Sequence, residues 1–169
     1  PPEVALTAPR PSPLVFVHGA QQDGFCWAGL CRSLTRPDRP AWAPDLPGHG
    51  RNPVPPIDTV EAMATWLLSW LEQQHIDRAC LVGHSLGSLI ALEAAAQAPE
   101  RVEKLALLGA AVPMPVAARL LDTAATNPPR AMATVNRGSH SIRGWLAAPS
   151  PVGLWAPGMN LRLMERQPA

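Results

Sequence analysis

Short apolar runs alternate with longer amphipathic segments over the first two thirds of the chain. Residues 14–17 form an apolar run bounded by Pro and Gly. It is too short for a helix and rich in strand-forming residues, which predicts a buried strand. Residues 79–82 and 102–108 predict two further strands, and residues 41–45 predict a weaker one.

The segments between these strands have helical character. The predicted helices cover residues 26–36, 60–71 and 86–98. Apolar positions in the second of them recur at helical spacing. Asp58 or Thr59 is expected to cap that helix, with Glu61 placed for a capping box. The strict alternation of strand and helix predicts an α/β fold, with a doubly wound, mostly parallel sheet covered by helices on both faces.

Proline marks a change of organisation near residue 112. The chain contains 21 Pro, none between residues 57 and 98 and eight between residues 113 and 168. Because Pro interrupts helices and central strands, the middle of the chain can hold long elements, while the last third is divided into short ones. Short helices are predicted over residues 116–125, 130–136 and 160–166, and no convincing strand follows residue 108. The predicted boundary separates residues 1–112 from residues 113–169.

Composition excludes several classes of function. With 47% hydrophobic and 16% charged residues and a net charge of +1, the 169-residue chain is typical of a globular domain. It lacks the basic footprint of a nucleic-acid-binding protein. No apolar run approaches the ~20 residues of a membrane-spanning helix. The expected partner is therefore a small molecule, not a nucleic acid or a membrane.

Cysteine spacing and missing motifs exclude further chemistry. Cys26, Cys31 and Cys80 form no C-x-x-C pair, so we expect three reduced, inert thiols and a cytoplasmic location. No spacing of His, Cys and carboxylates indicates a metal centre, and no glycine-rich phosphate-binding motif is present. The sequence therefore predicts neither a metal nor a cofactor.

One pentapeptide carries the candidate chemistry. Gly83-His84-Ser85-Leu86-Gly87 fits G-x-S-x-G and lies between a predicted strand and a predicted helix. Raising a Ser hydroxyl above a sheet requires a sharp reversal that strains the backbone of Ser85. The helix that follows directs N–H groups and its positive end toward a reacting oxygen. Ser85 is therefore the candidate nucleophile; the alternative is a glycine-rich turn in which Ser85 only caps the helix.

A second turn is expected to complete the site. His18-Gly19-Ala20 follows the first strand directly, where a backbone N–H could face Ser85. We predict that the amides of Ala20 and Leu86 form an oxyanion hole; the alternative is an ordinary turn at a strand end. The residues expected to line the substrate site are His18, Gly19, Gln21 and His84.

Three ordered motifs resemble the α/β-hydrolase superfamily. They are Phe16-Val17-His18-Gly19-Ala20 with Trp27, then Asp45-Leu46-Pro47-Gly48-His49-Gly50, then the Ser85 pentapeptide. The first motif is particularly similar to small-ester hydrolases of the methylesterase type, a subgroup that also resembles hydroxynitrile lyases. The resemblance implies an α/β-hydrolase core and a helical cap over residues 113–169. The cap would roof the substrate site with apolar groups that include Trp145, Leu154, Trp155 and Met159.

The same resemblance implies a triad in the order Ser, acid, His, for which the chain offers poor partners. Downstream of Ser85 stand one Asp, Asp122, and one His, His140, which are 18 positions apart. A strand-helix-strand unit needs about 30 or more residues, and Asp122 falls on a predicted cap helix. We therefore expect neither residue in the triad and expect the C-terminal core strands to be missing from this chain.

These features predict a serine hydrolase that acts on small carboxylic esters or related acyl compounds through an acyl-enzyme. The chain itself would be an incomplete and weakly active fragment. Two alternatives stay open: a non-catalytic truncated hydrolase fold that serves as a binding or partner surface, and a hydroxynitrile-lyase-like or haloperoxidase-like member of the same fold. Truncation would leave the strand over residues 102–108 with an unpaired edge, which predicts poor solubility.

Overall fold

Four parallel strands form the central sheet of the structure, a computed structural model that describes residues 11–139 and 156–165. They are β1 (Leu14–Val17), β2 (Ala41–Trp42), β3 (Ala79–His84) and β4 (Val102–Leu108). The spatial order is β2-β1-β3-β4, and every neighbouring pair is parallel. Short apolar runs that alternate with amphipathic segments produce this arrangement. The predicted α/β class with a parallel sheet is confirmed.

The segments between strands and after β4 are largely helical. The α-helices are α1 (Ala28–Leu34), α2 (Val60–Gln73), α3 (Leu86–Gln97), α4 (Ala118–Thr126), α5 (Pro128–Gly138) and α6 (Ala156–Glu165). Short 3₁₀ turns cover Gly24–Trp27 and Pro99–Arg101. Helices α4, α5 and α6 all follow residue 112, and within the described ranges no strand follows β4. Their assignment to a separate cap stays a prediction.

Two helix starts differ from the sequence expectation. The first predicted helix begins as a 3₁₀ turn, because the Asp23 carboxylate accepts the Phe25 N–H at 3.0 Å ahead of α1. Helix α2 is capped by Thr59, whose hydroxyl oxygen accepts the Ala62 N–H at 3.2 Å. Ala62 therefore occupies the third helical position, and the predicted capping box with Glu61 is wrong. Glu61 lies in the first turn, where the helix dipole favours its charge.

Alternate residues of β1 face opposite sides of the sheet. Val15 and Val17 belong to the core between the sheet and helices α2 and α3. That core includes the fully buried Leu67, Leu81 and Ile90. Phe16 faces the other side, where its ring centroid lies 5.1 Å from that of Trp27. Both faces of the sheet are thus covered at β1, which holds the turn after β1 in a fixed place.

Strand β4 forms an outer edge of the sheet and is far more exposed than β1. Leu107 and Leu108 keep 40% and 44% of their surface exposed. Among the described residues, no strand pairs with the outer edge of β4. Unpaired N–H and C=O groups beside apolar side chains favour pairing with another chain.

We expect this edge to cause self-association that rises with protein concentration. Leu107→Lys should reduce the association, because a Lys on an edge strand opposes pairing with a second strand. Light scattering over a concentration series measures the effect. Leu30→Lys is the matched control, since Leu30 is similarly exposed (46%) but lies on α1. A chain that stays monomeric at every concentration would contradict the prediction.

Candidate active site

The turn between β3 and α3 carries the candidate nucleophile. Ser85 has φ 52° and ψ −120°, a conformation that residues other than Gly rarely adopt. Its N–H donates to the Leu108 carbonyl oxygen at 2.9 Å. The buried Ser88 hydroxyl lies 2.8 Å from the Gly83 carbonyl oxygen and 2.9 Å from that of Leu108. Neighbouring bonds thus hold the strained turn in place, as is typical of functional sites.

Two glycines allow the turn to pack this tightly. A Cβ on Gly83 would lie 2.6 Å from the Cα of Ser88. A Cβ on Gly87 would overlap the carbonyl oxygen of Val17 and lie 2.5 Å from that of His18. Side chains are therefore excluded at both positions, by helix α3 in one case and by the end of β1 in the other.

A cavity of about 150 Å³ lies at this turn. On the sheet side its lining comprises the end of β3 and the loops after β1 and β3, with Gly19, Ala20, Gln22, His84 and Ser85. The region of α5 and α6 contributes Val135, Ser139, Asn160 and Met164. The structure thus brings together four of the residues that the sequence singles out: Gly19, Ala20, His84 and Ser85. All four lie at or just beyond the carboxyl ends of strands, where open parallel sheets bind ligands.

A larger depression lies elsewhere on the molecule. Its volume is about 910 Å³, and its walls include Ser12, Asp77 and Glu103. These residues lie near the amino ends of the strands, and none of the predicted site residues is among the walls. We therefore place the candidate active site in the smaller cavity.

The two amides predicted for the oxyanion hole lie beside Ser85, the candidate nucleophile. Ala20 lines the same cavity as Ser85, and Leu86 is the first residue of α3. Within the described part of the chain, neither amide N–H donates a hydrogen bond. Helix α3 also carries partial positive charge at this end. The arrangement offers two amide donors and a helix dipole to an oxygen that gains negative charge; their role stays a prediction.

His18 is not where the sequence predicts it. Its side chain is fully buried rather than exposed at the site. Nε2 accepts the Leu46 N–H at 2.9 Å, and Nδ1 donates to the Gly19 carbonyl oxygen at 2.9 Å. Burial lowers the pKa of the imidazole to about 4. His18 therefore holds two loops together as a neutral ring and does not line the described cavity.

Gln21 also lies away from the described cavity walls. It has a positive φ of 59°, and its N–H donates to His49 Nε2 at 3.3 Å. The next residue, Gln22, contributes to the cavity instead. The sequence thus places a glutamine at the site one position too early.

His84 is the titratable side chain among the described cavity walls. Its ring lies edge-on to Trp27, with centroids 6.5 Å apart, and burial lowers its pKa. Asp122 is exposed on α4 and does not line the cavity. His140, Trp145, Leu154 and Trp155 lie outside the described residues, as does the side chain of Met159. The described walls therefore contain no carboxylate that could orient an imidazole beside Ser85.

Three polar residues at or near the site have no counterpart among the sequence predictions. Gln22 and Asn160 line the cavity, and their side chains join at 2.7 Å. Ser88 supports the turn from below. The Gln22–Asn160 bond spans 138 residues, so no local pattern could have found it. Ser88 follows the G-x-S-x-G motif directly. Helical spacing places it on the same face of α3 as the buried Ala91, so its burial could have been predicted from the sequence.

The cysteines and acidic groups of the described residues do not form a second candidate site. Cys26, Cys31 and Cys80 are free, and burial raises the pKa of the Cys26 thiol to about 12. No group of three or more His, Cys, Asp or Glu side chains in the described ranges could hold a metal ion. Among the same residues, no helix is both long and apolar enough to span a bilayer. The cytoplasmic location stays a prediction.

Comparisons with a family profile and with curated proteins agree on the family of this chain. A family profile described as alpha/beta hydrolase fold matches residues 12–138. Lipase LipV of Mycobacterium tuberculosis is 37% identical over 102 residues, which are 60% of this chain and 38% of the lipase. The pimeloyl-(acyl-carrier protein) methyl ester esterase of Photobacterium profundum is 40% identical over 94 residues, 56% of this chain and 35% of the esterase.

A solved structure shares the fold. The enol-lactonase from Burkholderia xenovorans superposes with a TM-score of 0.77 at 21% identity, covering 92% of this chain and 60% of the lactonase. At this identity the match establishes the fold alone. The chain spans 38% and 35% of the two curated relatives, so it corresponds to little more than a third of their length.

Proposed function

The chain belongs to the α/β-hydrolase fold family, and we propose that it carries the nucleophile of a serine hydrolase for small carboxylic esters or related acyl compounds. The observation that carries this proposal is the backbone conformation and the position of Ser85. It is a serine at positive φ on a strand-to-helix turn, at the wall of a cavity that it shares with Ala20. The names of the relatives, a lipase and a methyl ester esterase, support the hydrolase class.

The proposed reaction begins at the Ser85 hydroxyl oxygen, which attacks the substrate carbonyl carbon while its proton passes to water. The carbonyl π electrons move to its oxygen, and the N–H groups of Ala20 and Leu86 stabilise that oxyanion. Each donor of this kind typically contributes ~2.7–4 kcal/mol to the transition state. Collapse of the intermediate expels the alcohol, which takes up a proton and leaves an acyl group on Ser85. Water then hydrolyses that ester and restores the hydroxyl.

The proton of Ser85 lacks an efficient acceptor among the described cavity walls. His84 is the imidazole there, but its ring packs edge-on to Trp27. No carboxylate lies beside it to orient the ring or stabilise an imidazolium. Enzymes that lack one triad member typically retain a 10³–10⁴-fold acceleration over water. We therefore propose that this chain by itself hydrolyses esters weakly.

The lack of a carboxylate at the described walls also favours a second candidate function. A hydrolase fold without a working base would bind an acyl compound in the cavity without reacting with it. Both candidates predict binding of a small ester at this site. They differ in whether the Ser85 hydroxyl reacts faster than an ordinary serine.

Covalent labelling with a fluorophosphonate probe tests the nucleophile. In this reaction the Ser85 oxygen bonds to phosphorus, fluoride leaves with the electrons of the P–F bond, and the hydroxyl proton passes to water. We expect one adduct per chain, located on Ser85 by mass spectrometry, and no adduct on Ser85→Ala. Ser33 is the internal control, because it is an exposed helical serine whose hydroxyl donates to the Gly29 carbonyl oxygen.

The labelling result separates the two candidates. Selective labelling of Ser85 supports the hydrolase. Labelling of Ser33 and Ser85 at equal rates, or an undiminished adduct on Ser85→Ala, would leave only the non-catalytic fold.

A further inference from the structure

A chain of three side-chain amides connects the loop after β1 with helices α5 and α6. The Gly19 N–H donates to Gln22 Oε1 at 3.1 Å. Gln22 Nε2 donates to Asn160 Oδ1 at 2.7 Å. Asn160 Nδ2 donates in turn to Asn136 Oδ1 at 2.8 Å. Three successive hydrogen bonds thus link the residue before Ala20 to a side chain on α5.

The amides point in one direction along this chain. Gln22 and Asn160 each use the carbonyl oxygen toward Gly19 and the NH₂ group toward Asn136. Bonds aligned in this way polarise one another, and their strength increases where water is excluded. Asn136 is only 2% exposed, and the bonds made by Gln22 and Asn160 are partly buried. Rotation of a single amide by half a turn would set like atoms against each other, so the chain favours one arrangement of all three side chains.

Two members of the amide chain, Gln22 and Asn160, line the candidate active site, as does Gly19, which donates to Gln22. Gly19 lies in a confined space, where a Cβ would be 3.1 Å from Gln22 Oε1 and 3.1 Å from His84 Nδ1. Ala20 follows it immediately and lines the cavity with Ser85. Helices α5 and α6 line the same cavity through residues that include Met164. The peptide unit that carries the Ala20 N–H is held directly at the Gly19 carbonyl oxygen, by His18 Nδ1 at 2.9 Å and the Gln22 N–H at 3.3 Å. The amide chain acts one peptide unit earlier, at the Gly19 N–H, and places the Gln22 end of this loop against α5 and α6.

We propose that Gln22 and Asn160 are positioning residues that fix the Ala20 N–H for oxyanion binding by tying its loop to α5 and α6. The inference rests on the proposed function, because the direction of this N–H matters to chemistry only where Ser85 attacks an electrophile. Contact of α5 and α6 with the core then completes the oxyanion site as well as covering it. Separation of these helices from the core weakens the site even where Ser85 itself is undisturbed.

Two measurements on Asn160→Ala test the proposal. Amide hydrogen exchange at Gly19 reports the loop directly, and the rate of Ser85 labelling at saturating fluorophosphonate reports the chemistry. We expect Gly19 to exchange about tenfold faster and the saturated labelling rate to fall about tenfold, as loss of one hydrogen bond to a pre-organised group predicts. The half-saturating probe concentration should stay unchanged, a split that a general loss of structure would not produce.

Two controls accompany these measurements. Arg162→Ala removes an exposed side chain on the same helix and should change neither value. Exchange at Leu81, in the core of β3, should stay at the wild-type rate in both variants. An unchanged Gly19 exchange rate in Asn160→Ala would overturn the proposal, as would faster exchange without slower labelling.

A double variant distinguishes one connected chain from two independent effects. If Gln22 and Asn160 act in series, Gln22→Ala combined with Asn160→Ala should slow labelling no more than Gln22→Ala alone. Multiplied effects would contradict the series arrangement and overturn the proposal. If Ser85 proves unreactive in the wild-type chain, the proposed function fails, and Gly19 exchange alone decides whether α6 holds the loop.

Discussion

Gly87→Ala is expected to lower the free energy of unfolding by about 3 kcal/mol, the upper end of the usual range for overpacking. The new methyl group would overlap the Val17 carbonyl oxygen and lie 2.5 Å from that of His18. Both oxygens belong to fully buried residues, so neither can move aside easily. Helix α3 would have to shift away from β1. Urea denaturation followed by circular dichroism measures the change.

The same substitution should also slow the labelling of Ser85. A shift of α3 displaces the Leu86 N–H and relaxes the strained turn at Ser85, since both lie within two residues of Gly87. We therefore expect Gly87→Ala to lower both the labelling rate of Ser85 and the stability of the protein.

Gly29→Ala is the matched control. Gly29 lies in the first turn of α1, and a Cβ there would meet no heavy atom within 4 Å. Ala is a better helix former than Gly by up to about 1 kcal/mol, so this variant should be as stable as the wild type or slightly more stable. If the two Gly→Ala variants had the same stability and labelling rate, contact with β1 would not constrain the turn at Ser85, and the prediction would be wrong.

Features decided within a few residues could be predicted from the sequence. Strand β4 runs from Val102 to Leu108 as predicted, because five of its seven residues are apolar and this pattern can be recognised without a distant partner. The turn at Ser85 follows from two glycines around a serine, and the clashes at Gly83 and Gly87 provide the steric reason.

Features decided by distant partners could not be predicted. His18 follows a strand and precedes a glycine, which is typical of an exposed turn. It is buried instead because the chain around Leu46, 28 residues away, packs over it and donates an N–H to its ring. Asn160 looks like an ordinary helical polar residue until α6 brings it to Gln22. In both cases the polar residue can be identified from the sequence, but the distant residue that becomes its partner in the fold cannot.

The buried His18 ring should make the protein less stable in mild acid. Burial is the main cause that lowers its folded-state pKa to about 4, and the nearby His49 ring adds to this effect. The Gly19 hydrogen bond, Asp45 and Asp23 oppose it. Protonation would place a hydrogen on Nε2, which now accepts the Leu46 N–H. Two donors would then face each other at a fully buried position.

The sign of the effect follows from proton binding. Between pH 6.5 and about 4 the unfolded chain holds a proton on His18 and the folded chain does not. Stability is therefore complete above pH 6.5 and is lost as the pH falls toward 4, by up to about 1.4 kcal/mol per pH unit from this one group. The total contribution is about 3 kcal/mol. Urea unfolding at several pH values between 4.5 and 7.5 measures it.

His18→Gln isolates this contribution from other titrating groups. The Gln side chain can accept the Leu46 N–H but does not titrate, so the variant should lose less stability over the same pH range. His84, whose pKa is also lowered by burial, contributes equally to both proteins and cancels in the comparison. Proton NMR of the wild-type imidazole gives an independent measurement, in which the His18 C–H resonances should stay at their neutral positions down to about pH 5. A ring that titrates near pH 6.5 in the folded protein would show that His18 is solvated, and the explanation of how it joins the two loops would then be wrong.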